Sequence, residues 1–386
     1  MKIVIAPDSF KESLSALQVA AAIEAGMREV WPDAQYVKVP VADGGEGTVQ
    51  ALIDATGGRR VEVGVTGPLG EPVDAFYGLV GGGSASDGLL AVIEMAAASG
   101  LESVPPARRD PRVTTTRGTG ELILHALDAG ARRFVLGVGG SATNDGGAGM
   151  LQALGVRMLD TDGREIGPGG GPLAQLARID VSGLDARVRA SDFQVASDVA
   201  NPLVGPNGAS SIFGPQKGAT PEMVAQLDAN LRRFAAIVER DLGRDVAAVP
   251  GAGAGGGIAA AMMVFLNGRL RPGVEIVTEA VGLDAAVRGA DLVVTGEGRI
   301  DGQTVNGKTP MGVARVAARH GVPVIAIAGS LARDAGAVHA HGVEAVSAAV
   351  TRPCSVAEAL AAGEENLRNA ARNVAALLKL GGRLGR

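Results

Sequence analysis

Arg133-Phe-Val-Leu-Gly-Val-Gly-Gly-Ser-Ala-Thr-Asn-Asp-Gly-Gly-Ala-Gly149 is the stretch on which the reading of this chain turns. Residues 133–136 read as a buried strand, and Met150-Leu-Gln-Ala-Leu154 beyond the stretch reads as a helix. The six glycines from Gly137 to Gly149 let the main chain come close to a ligand and leave N–H groups free for an anion beside a helix N-terminus. Gly139 and Gly140 offer backbone. Ser141, Thr143 and Asn144 carry short side chains that can donate to phosphate oxygens, and Asp145 can hold a metal ion. A glycine turn that serves only tight packing would use the same letters, so the rest of the chain has to decide.

The same grammar appears at the N-terminus. Lys2-Ile-Val-Ile5 is a short apolar strand that exits into Pro7-Asp-Ser-Phe-Lys-Glu-Ser13, and helical periodicity follows over 16–30 with Ser15 placed to cap it. Side chains at the carboxyl end of a first parallel strand face the ligand crevice of an open α/β sheet, which puts Asp8, Ser9 and Lys11 where chemistry is done. A second strand, Tyr36-Val-Lys-Val39, leads to Val41-Ala-Asp-Gly-Gly-Glu-Gly-Thr48. Asp43 and Glu46 in that loop suit a hydrated metal, although Glu46 would equally suit the first turn of the next helix, opposite its dipole.

From Arg60 the pattern changes to short strands with tight turns, including a hairpin around Gly67-Pro-Leu-Gly70. Leu89-Leu-Ala-Val-Ile93 reads as a strand, and Thr114-Thr-Thr-Arg-Gly-Thr-Gly-Glu121 opens a helix to Ala129 with Thr116 or Thr119 as cap. Asp198 stands at the exit of the strand Phe193-Gln-Val-Ala-Ser197, and Lys217 precedes a long amphipathic helix over 221–242. The βα rhythm returns at Asp291. A strand over 291–295 runs into Gly296-Glu-Gly-Arg-Ile-Asp301, which carries Glu297 and Arg299, then a helix over 311–320, strands over 323–328 and 343–348, and a closing helix over 356–378. The expected architecture is α/β. Residues 1–65 and 285–386 form a doubly wound parallel sheet, residues 66–284 are inserted as a mixed α/β domain, and the ligand cleft is expected between them.

Composition narrows the function. A net charge of -5 argues against a general nucleic-acid or membrane-surface binder, and 3% aromatic residues leave no stacking platform for bases. The single cysteine, Cys354, rules out an internal disulfide framework, and His339-Ala-His341 reads as a solvated helix end. With no signal peptide and no membrane-spanning apolar run in view, a cytoplasmic protein is expected. Gly302-Gln-Thr-Val-Asn-Gly-Lys-Thr309 has the letters of a Walker A loop, but the strand before it ends seven residues too early and Pro310 follows the Thr. Lys308 remains a phosphate contact without that fold.

Pro7-Asp-Ser-Phe-Lys11, the 40–48 block, the 137–149 turn, Asp198-Val-Ala-Asn-Pro202, Ile212-Phe-Gly-Pro-Gln-Lys-Gly218 and Thr295-Gly-Glu-Gly-Arg-Ile-Asp301 with Gln303, Thr304, Gly307 and Lys308 together resemble the bacterial glycerate kinase family, type 1, nearly end to end. The resemblance implies ATP-dependent phosphorylation of D-glycerate, usually to 2-phosphoglycerate with 3-phosphoglycerate as the alternative. It also implies a flavodoxin-like domain built from both termini and an inserted domain likened to restriction enzymes. Two positions depart from the family pattern: Gly302, where serine is common, and Asp110, where asparagine is expected before Pro111. Phosphoryl transfer to a hydroxyl needs a carboxylate, cations on the phosphates and Mg²⁺. Asp198 or Asp8 is the candidate base. Lys11, Lys217, Arg299 and Lys308 are candidates for phosphate or carboxylate contacts, joined by Ser9 and the 139–144 turn. Asp43, Glu46, Asp145 and Glu297 are the metal or orienting carboxylates. A monomer and a homodimer fit the sequence equally, and a non-catalytic metabolite sensor is the competing class.

Overall fold

The structure, a computed structural model, describes residues 1–81 and 88–384. The chain divides into two compact units. The first comprises Met1–Asp43, Gln50–Gly57 and Val274–Arg386; the second comprises Gly44–Val49 and Gly58–Gly273.

The first unit is built on a five-stranded parallel sheet in the order Ala345–Ala348, Val324–Ala328, Leu292–Thr295, Lys2–Ile5, Gln35–Lys38. Numbered along this unit, the order is 2-1-3-4-5 read from the other edge, the flavodoxin-like arrangement. Its central strands are apolar without alternation because both faces are covered: Ile3, Val4, Ile5, Val293 and Val294 are fully buried. Helix Ala16–Arg28 starts from a capping box in which Ser15 and Gln18 satisfy each other's backbone N–H. It buries Val19, Ala20, Ile23 and Met27. Gly26 lets it lie against helix Gly363–Leu384, since a Cβ there would run into the backbone carbonyl of Arg368. The closing helix is two helices, Val356–Ala361 and Gly363–Leu384. Ala362 leaves the α conformation at the break, and the next residue must be small because a Cβ on Gly363 would meet the Ser13 hydroxyl.

The second unit carries a six-stranded sheet in the order Arg269–Arg271, Asp192–Ala196, Ala131–Gly137, Leu89–Glu94, Pro72–Val80, Arg59–Thr66. The first four strands pair in parallel, and the last two form the expected antiparallel hairpin. Phe134 and Phe193 stack at 4.5 Å between ring centroids on adjacent strands, anchoring the core under the glycine turn. Helix Pro221–Leu242 has the bounds its periodicity predicts, capped by Thr220 and ended by Gly243 in the left-handed region. Among the described residues no helix is long and apolar enough to cross a membrane.

Candidate active site

In the first unit the chain leaves Lys2–Ile5 toward Gln35–Lys38 and leaves its neighbour Leu292–Thr295 the other way, toward Val324–Ala328. Such a reversal opens a crevice at the carboxyl ends of the two strands. Here the two exits are tied together: the Ala6 N–H donates to Val294 O, the Asp8 N–H to Gly296 O, and the Thr295 hydroxyl to Ala6 O, all at 2.8 Å. Position 296 must be glycine because a Cβ would collide with the carbonyl oxygen of Ile327.

The Asp8 carboxylate sits at this junction. Its Oδ1 accepts from the Ser9 N–H at 2.7 Å and the Ser9 hydroxyl at 3.3 Å, and its Oδ2 accepts a 2.5 Å bond from the Thr309 hydroxyl. Burial pushes the Asp8 carboxyl up to about 7, and the negative charges of Asp43 and Glu297 push the same way against the donors Thr309 and Ser9. Glu297 is only 9% exposed and accepts from the Thr304 hydroxyl at 2.6 Å. Burial raises its carboxyl too. Lys308 Nζ lies 3.9 Å from Glu297 Oε2 and 3.8 Å from Asp301 Oδ1, and the residue occupies the N-cap of helix Thr309–Arg319. Lys11 is exposed, and Arg299 is an exposed side chain 3.8 Å from Asp301.

The second unit treats its glycine turn differently. Gly139 and Gly140 are exposed, whereas every residue over 141–150 is buried. Asp145 is wholly enclosed, its Oδ2 accepting from the Thr116 N–H (2.9 Å), the Thr116 hydroxyl (2.8 Å) and the Gly149 N–H (3.2 Å), and its Oδ1 from the Gly147 N–H (3.0 Å). Burial pushes this carboxyl up while the four donors pull it back, and a proton placed there would face donors. Asn144 donates to the Ser210 hydroxyl at 2.9 Å. Lys217, 2% exposed, donates from Nζ to the Ser141 hydroxyl at 2.8 Å and to Thr143 O at 2.6 Å. Burial brings its ammonium down to about 7 against the pull of Asp145. Thr143 Oγ1 and Asn144 Oδ1 are buried without a hydrogen-bond partner among the described residues. Thr116 does stand at the N-cap of helix Arg117–Asp128, but its side chain makes no cap bond, because the hydroxyl donates to Asp145 and accepts from the Met150 N–H at 2.9 Å.

The structure therefore gathers Asp8, Ser9, Lys11, Asp43, Glu297, Arg299 and Lys308 in the first unit, and Glu46, Gly139, Gly140, Ser141, Thr143, Asn144, Asp145, Asp198 and Lys217 in the second. Asp198 is exposed at its strand exit and accepts from the Gly273 N–H at 3.3 Å. Glu46 is exposed near Glu94, a half-buried carboxylate that accepts from the Val49 N–H at 2.8 Å. The four carboxylates read as metal candidates divide between the units, Asp43 and Glu297 in the first and Glu46 and Asp145 in the second, and among the described residues no group of three or more His, Cys, Asp or Glu converges to hold a metal. Mg²⁺ needs no such cage, since it keeps waters and takes one or two carboxylates together with substrate phosphates. Sequence reasoning missed Glu94 and the roles of Thr304 and Thr309. The threonines are visible only as letters beside Gln303 and Lys308, and nothing local shows which carboxylates their hydroxyls reach.

The profile of the glycerate kinase family matches residues 3–379 of the chain. A glycerate kinase of Bacillus subtilis (strain 168) is 58% identical over 380 residues, covering 98% of each chain. A glycerate 2-kinase of Escherichia coli (strain K12) is 58% identical over 381 residues, covering 99% of each. A crystal structure described as a glycerate kinase 2 from Salmonella typhimurium LT2 superposes with a TM-score of 0.90 at 58% identity, covering 99% of both chains.

Proposed function

From the premise that the chain belongs to the glycerate kinase family, we propose that it phosphorylates D-glycerate at the 2-hydroxyl, with Asp8 as the base. It is a kinase that uses ATP as phosphoryl donor. The 2-phosphoglycerate product is supported by 58% identity, over 99% of both chains, to the E. coli glycerate 2-kinase. The observation that carries the assignment of the base is the Asp8 carboxylate itself, aimed by Ser9 and Thr309 at a strand-order reversal and titrating near neutral pH.

In the reaction Asp8 accepts the proton of the acceptor hydroxyl as that oxygen bonds to the γ-phosphorus and the bond from phosphorus to the ADP oxygen breaks. Lys308 supplies positive charge to the phosphates. Its separation of 3.8 to 3.9 Å from Asp301 and Glu297 leaves the ammonium without a tight partner among those two. Magnesium, when bound, neutralises charge on the transferring group. Asp43 and Glu297 are the carboxylates of this unit that suit it, within the one or two that Mg²⁺ takes. Asp145 is assigned to the architecture of its turn, with four donors already on its oxygens. The exposed backbone of Gly139 and Gly140 is assigned to an anionic ligand of the reaction. A net charge of -5 and ATP dependence support a cytoplasmic enzyme of small anions, with no nucleic-acid partner.

The test is ADP release coupled to D-glycerate, with phosphorus NMR of the product. ADP production that needs D-glycerate and stops with EDTA is expected, with the 2-phosphate resonance accumulating. No glycerate-dependent ADP from folded protein would sink the activity, and a 3-phosphate product would sink the regiochemistry alone.

A further inference from the structure

A lysine is almost never enclosed unless something holds its charge, because an ammonium loses its water on burial. Lys217 is enclosed, and what holds it is the inner side of the glycine turn: the Ser141 hydroxyl and the Thr143 carbonyl, at 2.8 and 2.6 Å. We propose that Lys217 is a positioning residue that pins the 137–149 turn to the segment Pro215–Lys217 and touches no substrate. The proposal rests on the reading that the exposed backbone of Gly139 and Gly140 meets a ligand of the kinase reaction.

The pins form a set. On the Lys217 side, Asn144 adds a second link through its bond to Ser210, in the preceding helix Ala209–Phe213. Further along the turn the Ala142 N–H donates to Ser99 O at 2.9 Å, the Leu101 N–H to Gly140 O at 2.8 Å, and the Thr114 hydroxyl to Ala142 O at 2.8 Å. Below, Asp145 ties the turn to Thr116. The exposed glycines themselves have no side chain to hold them, and Gly140 lies at φ +71°, in the left-handed region that glycine occupies freely. Their shape before a ligand arrives has to come from neighbours anchored underneath, which lowers the ordering cost on binding. A lysine suits this anchor because its long stem crosses the interior and its N–H groups reach a hydroxyl and a carbonyl together. A direct phosphate contact would need that ammonium at the surface.

Lys217→Met keeps the stem and removes the donors. In the protein without ligand, hydrogen exchange at the amides of Ala142, Gly146 and Gly149 should accelerate by about tenfold or more, with the strands of the first unit unchanged. In the assay, kcat should fall and the KM of the substrate that meets the turn should rise. Should Lys217→Met fail to fold, Ser141→Ala removes one acceptor, and a smaller acceleration at the same amides is expected. Unchanged exchange in the ligand-free variant together with a raised KM would make Lys217 a ligand contact and overturn the proposal. Faster exchange with kcat and both KM values unchanged would also overturn the positioning role, and persisting glycerate-dependent ADP release would then leave the kinase reading intact.

Discussion

Strands Leu292–Thr295 and Ala131–Gly137 both exit into glycine mixed with short polar and acidic residues, and the two exits end in opposite conditions. At the first, burial raises the carboxyl of Asp8 toward neutrality, and the like charges of Asp43 and, more weakly, Glu297 add to the shift. At the second, Asp145 is ringed by donors from Thr116, Gly147 and Gly149, and the residues around it face inward. The difference teaches that a carboxylate's use depends on the balance of donors and like charges around it. One surrounded by donors fixes a turn, and one held beside other carboxylates is set up to move a proton.

The contrast breaks most sharply at Asp8. Asp8→Asn should lower kcat by about 10² to 10⁴ with ATP binding near normal, as loss of a general base does. A variant that keeps its kcat would move the base elsewhere, with Asp198 next in line. In the native enzyme kcat/KM should climb with pH and level above about 7, as Asp8 ionises in the free protein. Stability should run the other way. The folded value lies above the ordinary 3.8, so the stability contributed by protonated Asp8 is complete below 3.8 and lost as pH rises through about 7. Asp8→Asn, which imitates the protonated acid, should therefore melt higher than the native protein at pH 8, by a smaller margin at pH 5, and level with it only below 3.8. Equal melting differences at the two pH values would contradict the raised carboxyl.

Asp145→Asn should act on the other side of the comparison. It replaces an all-acceptor group with one that presents donors to donors, and each charged hydrogen bond lost costs about 1.5–3 kcal/mol. The urea midpoint should drop accordingly, and an unchanged midpoint would show that the ring of donors contributes nothing. Lys308→Ala should lower kcat/KM by roughly 1.5–3 kcal/mol if the ammonium meets a phosphate. Its effect on stability should be slight, since its separations of 3.8 to 3.9 Å are those of a loose, partly exposed ion pair. A kcat/KM that does not move would return Lys308 to the helix cap. Smallest of all should be Arg299→Ala, an exposed side chain expected to change stability by less than about 0.5 kcal/mol. A large loss of activity there would reveal a ligand contact that the free structure does not display.

Much of the fold was legible because it is written in short-range patterns. Apolar runs of strand length predict the parallel strands of the first unit, and Ser15 and Thr220 mark helix starts through bonds to residues three positions away. The hairpin around Gly67 and Gly70 announces itself by turn chemistry, and Gly70 takes the left-handed conformation that such a turn requires. A continuous closing helix over 356–378 overlooks the stop signal of Gly363 followed by two acidic residues, and the contact that keeps position 363 small, Ser13, lies far away in sequence.

By itself the sequence determined the α/β class, the parallel strands, the cap positions and, through its motif blocks, membership in a kinase family, since each of these depends on neighbours along the chain or on the order of residues. Only the tertiary structure decided which acidic and basic residues are spent on architecture and which are held ready. The Thr116 hydroxyl reaches Asp145 across 29 positions, the Lys217 ammonium reaches Ser141 across 76, and the Thr309 hydroxyl reaches Asp8 across 301. Desolvation and hydrogen-bond supply set the charge state of a side chain, and both are fixed by contacts that form only when the distant segments have packed.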